Sequence, residues 1–436
     1  MPNCSGAKKG SCLRLKTDFS ELPRFVRYAQ KMFHLNLLAG VFTNSRPHPE
    51  IPGRAVGLTL MLGEVAQIPS LLQLQAETQL PQWQQWVGYG QPISDDTLGY
   101  VSERMDPKLL RQGAIWINRK LKRGKAFEEN KVNGLLAVNL DANEQFCSDH
   151  RCCEDCLTRE VTTKDSQGQP VKHVQYYHKQ VYAQLSGPRL SVILDVEPMR
   201  QGEEECAAAL RLLGRMREKY GPRFFDLVVV DAWYTNGPFL KAVVEMGWPV
   251  IAVLKQERYE IYQETLALTK GRPPTETVER DGRTVKIWDL AQMTFSDSYT
   301  EPVRVVRVRE SYLQRQRIGG KWLSEEKEQN WIWVVAGDLN GYPGSGIRDW
   351  GHSRWKIENN AFNELTQSWH LTHCTHHHPV AVQVLLWIKL IAFTLFHAFA
   401  ILHGKLLRLG RVTLQELRKR IYRSLLCGEV APFFSG

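Results

Sequence analysis

Two nearly continuous apolar runs that each end in an aspartate constrain this chain more than any other feature. They are LLAVNLD at 135–141 and LVVVD at 227–231. Short apolar runs of this type are buried strands, covered on both faces. Between them lie YYHKQVYAQLSG and RLSVILDVEP, which read as two further strands around Gly187 and Pro188. EEECAAALRLLGRMREKY then reads as an amphipathic helix whose acidic first turn and basic last turns match the helix dipole. A short helix over 236–246 and a strand in WPVIAVLK follow the second aspartate. Three strands, then helix, strand, helix and strand, predict an α/β sheet with some parallel order.

A carboxylate at a buried strand end costs free energy unless it is exposed, paired or bound to a metal. The crevice at the carboxyl ends of sheet strands is also where α/β proteins bind ligands. Asp141 and Asp231 are therefore candidate site residues. A third acid, Glu358, lies in RWKIENNAFNELTQSW. Read as one helix, this segment puts Glu358 on the apolar face with Trp355, Phe362, Leu365 and Trp369. Such a glutamate needs a partner: Arg354 one turn earlier, or a metal shared with the two aspartates. Converging carboxylates suit Mg²⁺ or Mn²⁺, hard ions that leave coordination positions for water and phosphate. Asp195 also ends a strand. Its strand is expected to run antiparallel to its neighbours, with its end away from the first strand's end.

The spacing and wording of these acids carry a resemblance. Asp141, Asp231 and Glu358, 90 and then 127 residues apart, resemble the D-D-E triad of insertion-sequence transposases with a ribonuclease H-like catalytic fold. VVVDAWYTNGPFLKAV and RWKIENNAFNEL are similar to that family over roughly 134–400. The long second gap resembles the subgroup with a β-rich insertion before the glutamate. Its signature there is Tyr, Arg, Glu and Lys. This chain keeps Arg354 and Glu358 but has Gly351 and Leu365 at the other two positions. The resemblance implies metal-dependent cleavage at element ends and strand transfer by a freed 3′-hydroxyl. It also implies double-stranded DNA, both element terminal repeats and target, as partner, a homodimer on DNA, and a bacterial nucleoid-associated setting. A nuclease of the same fold that does not join strands, and a non-catalytic zinc-stabilised DNA-binding protein, are the alternatives.

The expected organisation follows. Residues 1–130 form a helical DNA-binding region and 131–255 the first part of the catalytic domain. A β-rich insertion spans 256–330. The catalytic domain ends with 331–403, and 404–436 is a basic tail. The run Pro379–Leu402 is long enough to span a bilayer, but Gln383, Lys389 and His397 interrupt it. A buried core helix, and no membrane partner, is the expectation. The start of the chain lacks a secretory apolar segment and the nine cysteines are odd in number, so a reduced, cytoplasmic protein is expected.

The net charge of +10 suits a polyanion partner. Nine basic residues crowd 101–131, among them Lys120 and Arg123. Arg307 and Arg309 alternate with Val306 and Val308, which predicts a strand with one charged face. Lys120, Arg123, Arg307, Arg309 and Arg354 are the candidate DNA contacts. In CSDHRCCEDC, the residues Cys147, His150, Cys153 and Cys156 form a candidate structural Zn²⁺ site. The histidines of HLTHCTHHHP read as a solvated or DNA-facing cluster.

Overall fold

The computed structural model describes residues 20–187, 190–318, 321–355, 357–403 and 412–427. Seven helices open the described chain: α1 (Glu21–Phe33), α2 (Leu35–Leu38), α3 (Gly53–Ala66), α4 (Leu71–Thr78), α5 (Pro81–Val87), α6 (Asp95–Ser102) and α7 (Pro107–Arg123). Local sequence sets several starts. The hydroxyl of Ser94 accepts from the Thr97 N–H, and the Asp106 carboxylate accepts from the Lys108 N–H ahead of Pro107. RAVGLTLMLGEVAQIPSLLQLQAE, one periodic stretch in the sequence, divides at Gln67–Ser70 into α3 and α4, bent by 108°. Pro69 removes a backbone donor there.

The strands are β1 (Ala137–Ser148), β2 (Leu157–Lys164), β3 (Pro170–Leu185), β4 (Val192–Pro198), β5 (Leu227–Val230), β6 (Val250–Val253), β7 (Glu276–Arg280), β8 (Arg283–Met293), β9 (Val303–Ile318) and β10 (Lys321–Ala336). They form one sheet in the order β2-β3-β1-β5-β6-β10-β9-β8-β7, with β4 also on β3. β1, β5 and β6 are mutually parallel, as the alternation of strands and helices predicted. β10 joins β6 antiparallel, so the strands expected in an insertion continue the same sheet. β3 runs antiparallel to both β1 and β4. The Asp195 strand is antiparallel to its neighbour β3, as expected, but β4 is thereby parallel to β1, and Asp195 lies level with Leu140 rather than away from the end of the first strand.

Helices α8 (Glu205–Tyr220), α9 (Gly237–Glu245) and α10 (Glu260–Thr269) follow β4, β5 and β6 respectively. After β10 come α11 (Gly344–Ser353), a π-helical turn (Ile357–Phe362), α12 (Asn363–Trp369), α13 (Pro379–His403) and α14 (Leu414–Cys427). Two apolar layers flank the sheet. One holds Leu227, Val229, Ile251, Val306, Val308 and Trp333 against Ile347 and Trp350 of α11. The other is much larger, and joins Val228, Val230 and Leu140 to α13, α8 and the N-terminal helices.

The long apolar helix α13 lies in that second layer, packed on α3 and α7. Lys389 and His397, which interrupt it, find partners inside the protein. Lys389 Nζ donates to Glu64 Oε2 at 2.7 Å, and His397 Nε2 lies 2.9 Å from Glu364 Oε1. Arg418 of α14, read in the sequence as part of a basic surface, is only 3% exposed and also binds Glu364. Lys405, Arg408 and Arg411 of the expected tail lie outside the described residues.

Candidate active site

The register between β1 and β5 is a constant offset: Ala137 faces Leu227, Val138 faces Val228 and Asn139 faces Val229. Continued by two residues, it sets Asp141 beside Asp231, the first residue past β5. In-register neighbours on adjacent strands are about 4.7–4.9 Å apart. Side chains alternate along a strand, and Ala137, Leu227 and Val229 face the α11 layer. Asn139, Asp141 and Asp231 therefore share that face.

Helix α11 is fixed onto this face by two polar contacts. Asn139, fully buried, donates from Nδ2 to the Ser353 carbonyl at 3.1 Å and accepts from the Ser353 hydroxyl at 3.2 Å. Glu310 of β9, also fully buried, accepts from Arg348 Nε at 2.7 Å, meets His352 Nε2 at 2.8 Å and accepts from Arg283 at 2.7 Å. Burial pushes the Glu310 carboxyl up, but its bonds to His352 and Arg348 outweigh this and bring it down to about 2. Gly351 is needed in this helix, because a Cβ there would meet the Trp333 ring at 2.4 Å.

Arg354 follows directly. It is 6% exposed, and its Nη1 donates to Asp141 Oδ2 at 3.2 Å. Asp141 Oδ1 accepts from the Ala142 N–H at 2.9 Å. Asp231 Oδ1 accepts from the Trp233 N–H at 2.8 Å. Burial pushes the Asp231 carboxyl above its ordinary range, and the Trp233 N–H and the Arg354 charge act against that rise. The Asp141 side chain remains 14% exposed and Asp231 is half-buried, so both open towards solvent.

Glu358 sits on the π-helical turn, whose backbone packs against β1, the Asp141 strand. The sequence reading of one continuous helix is corrected here. A π turn widens the helix and shifts the face of every residue after it. Leu365, at the expected Lys position, is fully buried.

Sequence reasoning passed over Glu205, Lys179 and Tyr234. Glu205 opens α8 and accepts from Lys179 Nζ at 2.8 Å. Tyr234 is fully buried, and burial together with the charges of Glu205, Asp141 and Asp231 holds its hydroxyl well above its ordinary value. The acidic start of α8 and a tyrosine three residues after Asp231 were the available signals. Asp195 points to the other face. It pairs with Ala183, which pairs on its other side with Leu140, so it shares the Leu140 face. There it is fully buried against Arg215 (2.8 Å) and Arg111 (3.4 Å).

Of the candidate DNA contacts, Arg354 lies in this site and the other four lie elsewhere. Arg307 and Arg309 form the charged face of β9 over Trp288 and line a 710 Å³ cleft with Lys270 and Arg272. Lys120 lies over the Trp116 ring at 5.2 Å near the end of α7, and Arg123 is exposed there.

The expected zinc ligands are only half brought together. Cys153 and Cys156 converge with His178 of β3 and His377, their ligand atoms all within 4.8 Å of one another. Cys147 and His150 stay outside and exposed. The pleat explains the first: Phe146 faces His178 and His377, so Cys147 points to the opposite face. The histidine cluster is accordingly divided. His377 joins the cysteines, and His376 meets Glu103 Oε1 at 2.8 Å.

Residues 136–395, more than half of the chain, match the family described as the transposase DDE domain. No curated protein matches the sequence. Among solved structures, a cryo-EM piggyBac transposase synaptic complex with hairpin DNA is similar at a TM-score of 0.44 and 12% identity, over 93% of this chain and 79% of that one. With two strand-end aspartates level on one face and this match spanning them, the chain belongs to the transposase DDE domain family and is a DNA transposase.

Proposed function

We propose that Asp141, Asp231 and Glu358 are the acids that carry out cleavage at element ends and strand transfer, on a ribonuclease H-like core built from β4, β3, β1, β5 and β6. The observation that carries this is the level placement of Asp141 and Asp231 on neighbouring parallel strands, beside the turn that bears Glu358. The donors fit a hard divalent cation. They are carboxylate oxygens, those of Asp141 and Asp231 partly open to solvent, and burial raises the Asp231 carboxyl above its ordinary range. When bound, Mg²⁺ or Mn²⁺ supplies Lewis-acid polarisation of the phosphodiester and a more acidic nucleophile.

The protein's own groups do the remainder. Asn139 and Glu310 hold α11, and so fix Arg354 against Asp141. Arg354 orients that carboxylate and offsets repulsion between the two aspartates. Trp233, 69% exposed at the rim, presents an aromatic surface on which a base near the scissile strand stacks. The basic faces of Arg307 and Arg309, and of Lys120 and Arg123, follow the phosphate backbone and set register without reading sequence. The enzyme works on paired ends as a homodimer. Residues 1–130 bind the terminal repeats, and the enzyme operates wherever the DNA resides.

The test is nicking of a duplex carrying the element's end, with and without Mg²⁺ or Mn²⁺. Wild type is expected to nick only with the ion. Asp231→Asn is expected to lose about 10³-fold or more, several kcal/mol of transition-state stabilisation. Metal-independent nicking, or full activity in Asp231→Asn, would refute the assignment.

A further inference from the structure

Cys153, Cys156, His178 and His377 come from three separated segments: the β1–β2 loop, strand β3 and the stretch between α12 and α13. The edges of the cluster carry the argument. The two sulfurs are 3.7 Å apart, and His178 Nε2 lies 3.2 Å from Cys153 Sγ and 3.3 Å from Cys156 Sγ. His377 Nε2 lies 3.4 Å from Cys156 Sγ. A tetrahedral ion with Zn–S of about 2.3 Å and Zn–N of about 2.0–2.1 Å requires S–S edges of about 3.8 Å and S–N edges of about 3.5 Å. Four of the six edges fall close to those values, and the other two lie within 4.8 Å. A disulfide is excluded, since its sulfurs would stand about 2.05 Å apart.

Hydrogen bonding alone does not account for the arrangement. Cys156 Sγ has the Cys153 N–H at 3.2 Å, the Cys153 sulfur and both imidazole Nε2 atoms around it. A thiol has one proton to give and accepts weakly. A dication satisfies all four ligands at once, and leaves the Cys153 N–H as a further donor to the Cys156 sulfur. Local structure aims the ligands. The Cys156 N–H bonds the Cys153 carbonyl at 3.1 Å, closing a turn that turns both sulfurs to one side. Phe146 pairs with His178 across the strands, and its ring lies 5.0 Å from the His178 ring and 5.3 Å from the His377 ring.

We propose that these four residues bind one structural Zn²⁺ in a closed Cys₂His₂ site. Two thiolates and two imidazoles in tetrahedral array suit zinc, and four protein ligands leave no position for substrate. The ion clamps residues 221 positions apart. It ties the far end of the Asp141 strand to the segment that follows the Glu358 turn. The site stands independently of the carboxylate assignment.

Full-length protein, expressed with zinc and dialysed exhaustively, is expected to carry one zinc per chain by elemental analysis. Cys156→Ser and His178→Ala are expected to lose it, whereas Cys147→Ser and His150→Ala keep it. Ligand removal risks unfolding, so a ligand-preserving variant supplies the second arm. Cobalt-substituted wild type is expected to show the intense visible bands of a tetrahedral ion. His377→Cys, which retains four ligands, is expected to raise the thiolate-to-cobalt charge-transfer absorption roughly 1.5-fold as three sulfurs replace two. A zinc-free wild type, an octahedral cobalt spectrum, an unchanged spectrum in His377→Cys, or zinc loss in Cys147→Ser would each overturn the proposal.

Discussion

Asp195 and Asp141 sit on parallel strands of one sheet, at neighbouring levels, yet their surroundings differ in kind. Asp195 faces the large helical layer, is fully buried, and has Arg215 and Arg111 against it while Glu197 binds Arg211. Asp141 faces the other layer with Asp231 beside it, and the Arg354 guanidinium serves both. One cluster is sealed and charge-matched; the other is acidic and open. A strand-end aspartate is therefore not diagnostic by itself. The face of the pleat on which it falls decides whether it meets arginines or solvent and a cation.

Removing charge from each cluster should give opposite results. Asp141→Asn is expected to keep fold and DNA affinity while strand cleavage falls about 10³-fold, measured by end-nicking beside thermal melting. Asp195→Ala is expected to do the reverse. It leaves buried arginines uncompensated and should cost about 3–5 kcal/mol of stability, read by denaturant unfolding. Lys389→Met strands Glu64 in the same way within the helical layer, with an expected loss of similar size. The double variant with Glu64→Leu should recover most of it, because the uncompensated charge is gone.

The α11 anchor is sensitive to pH. The carboxyl of Glu310 is lowered from 4.5 to about 2, so its stabilisation is complete above about pH 4.5 and is lost as pH falls towards 2. The expected loss is about 3 kcal/mol across that window, and Glu310→Gln should flatten that part of the pH–stability curve. The smallest effect is expected at Asn139→Ala. Losing the two bonds to Ser353 and the one to the Ser186 hydroxyl should cost about 1–3 kcal/mol. Cleavage should fall about tenfold through kcat, because Arg354 is displaced from Asp141, while the basic faces of Arg307, Arg309, Lys120 and Arg123 keep most of the DNA affinity.

The parallel core was legible because strands buried on both faces write themselves as apolar runs, and an aspartate ending such a run stands out. Other features depend on partners that the local sequence does not contain. His178 becomes a ligand only because β3 pairs with β1 and brings it opposite Phe146. His377 reaches the cysteines only after α12 has ended. Glu310 stands in the arginine-rich stretch VRVVRVRESYLQRQR, and its partners Arg348 and His352 arrive from α11. The Glu358 segment carried a helical period, but period alone does not reveal a π turn that shifts the face partway along.

Mn²⁺ binding, followed by calorimetry on the full-length protein, tests the central contrast most directly. The account predicts that wild type and Asp195→Asn bind the ion alike, whereas Asp141→Asn and Asp231→Asn each lose at least tenfold in affinity. Equal binding in the last two, or loss confined to Asp195→Asn, would contradict it.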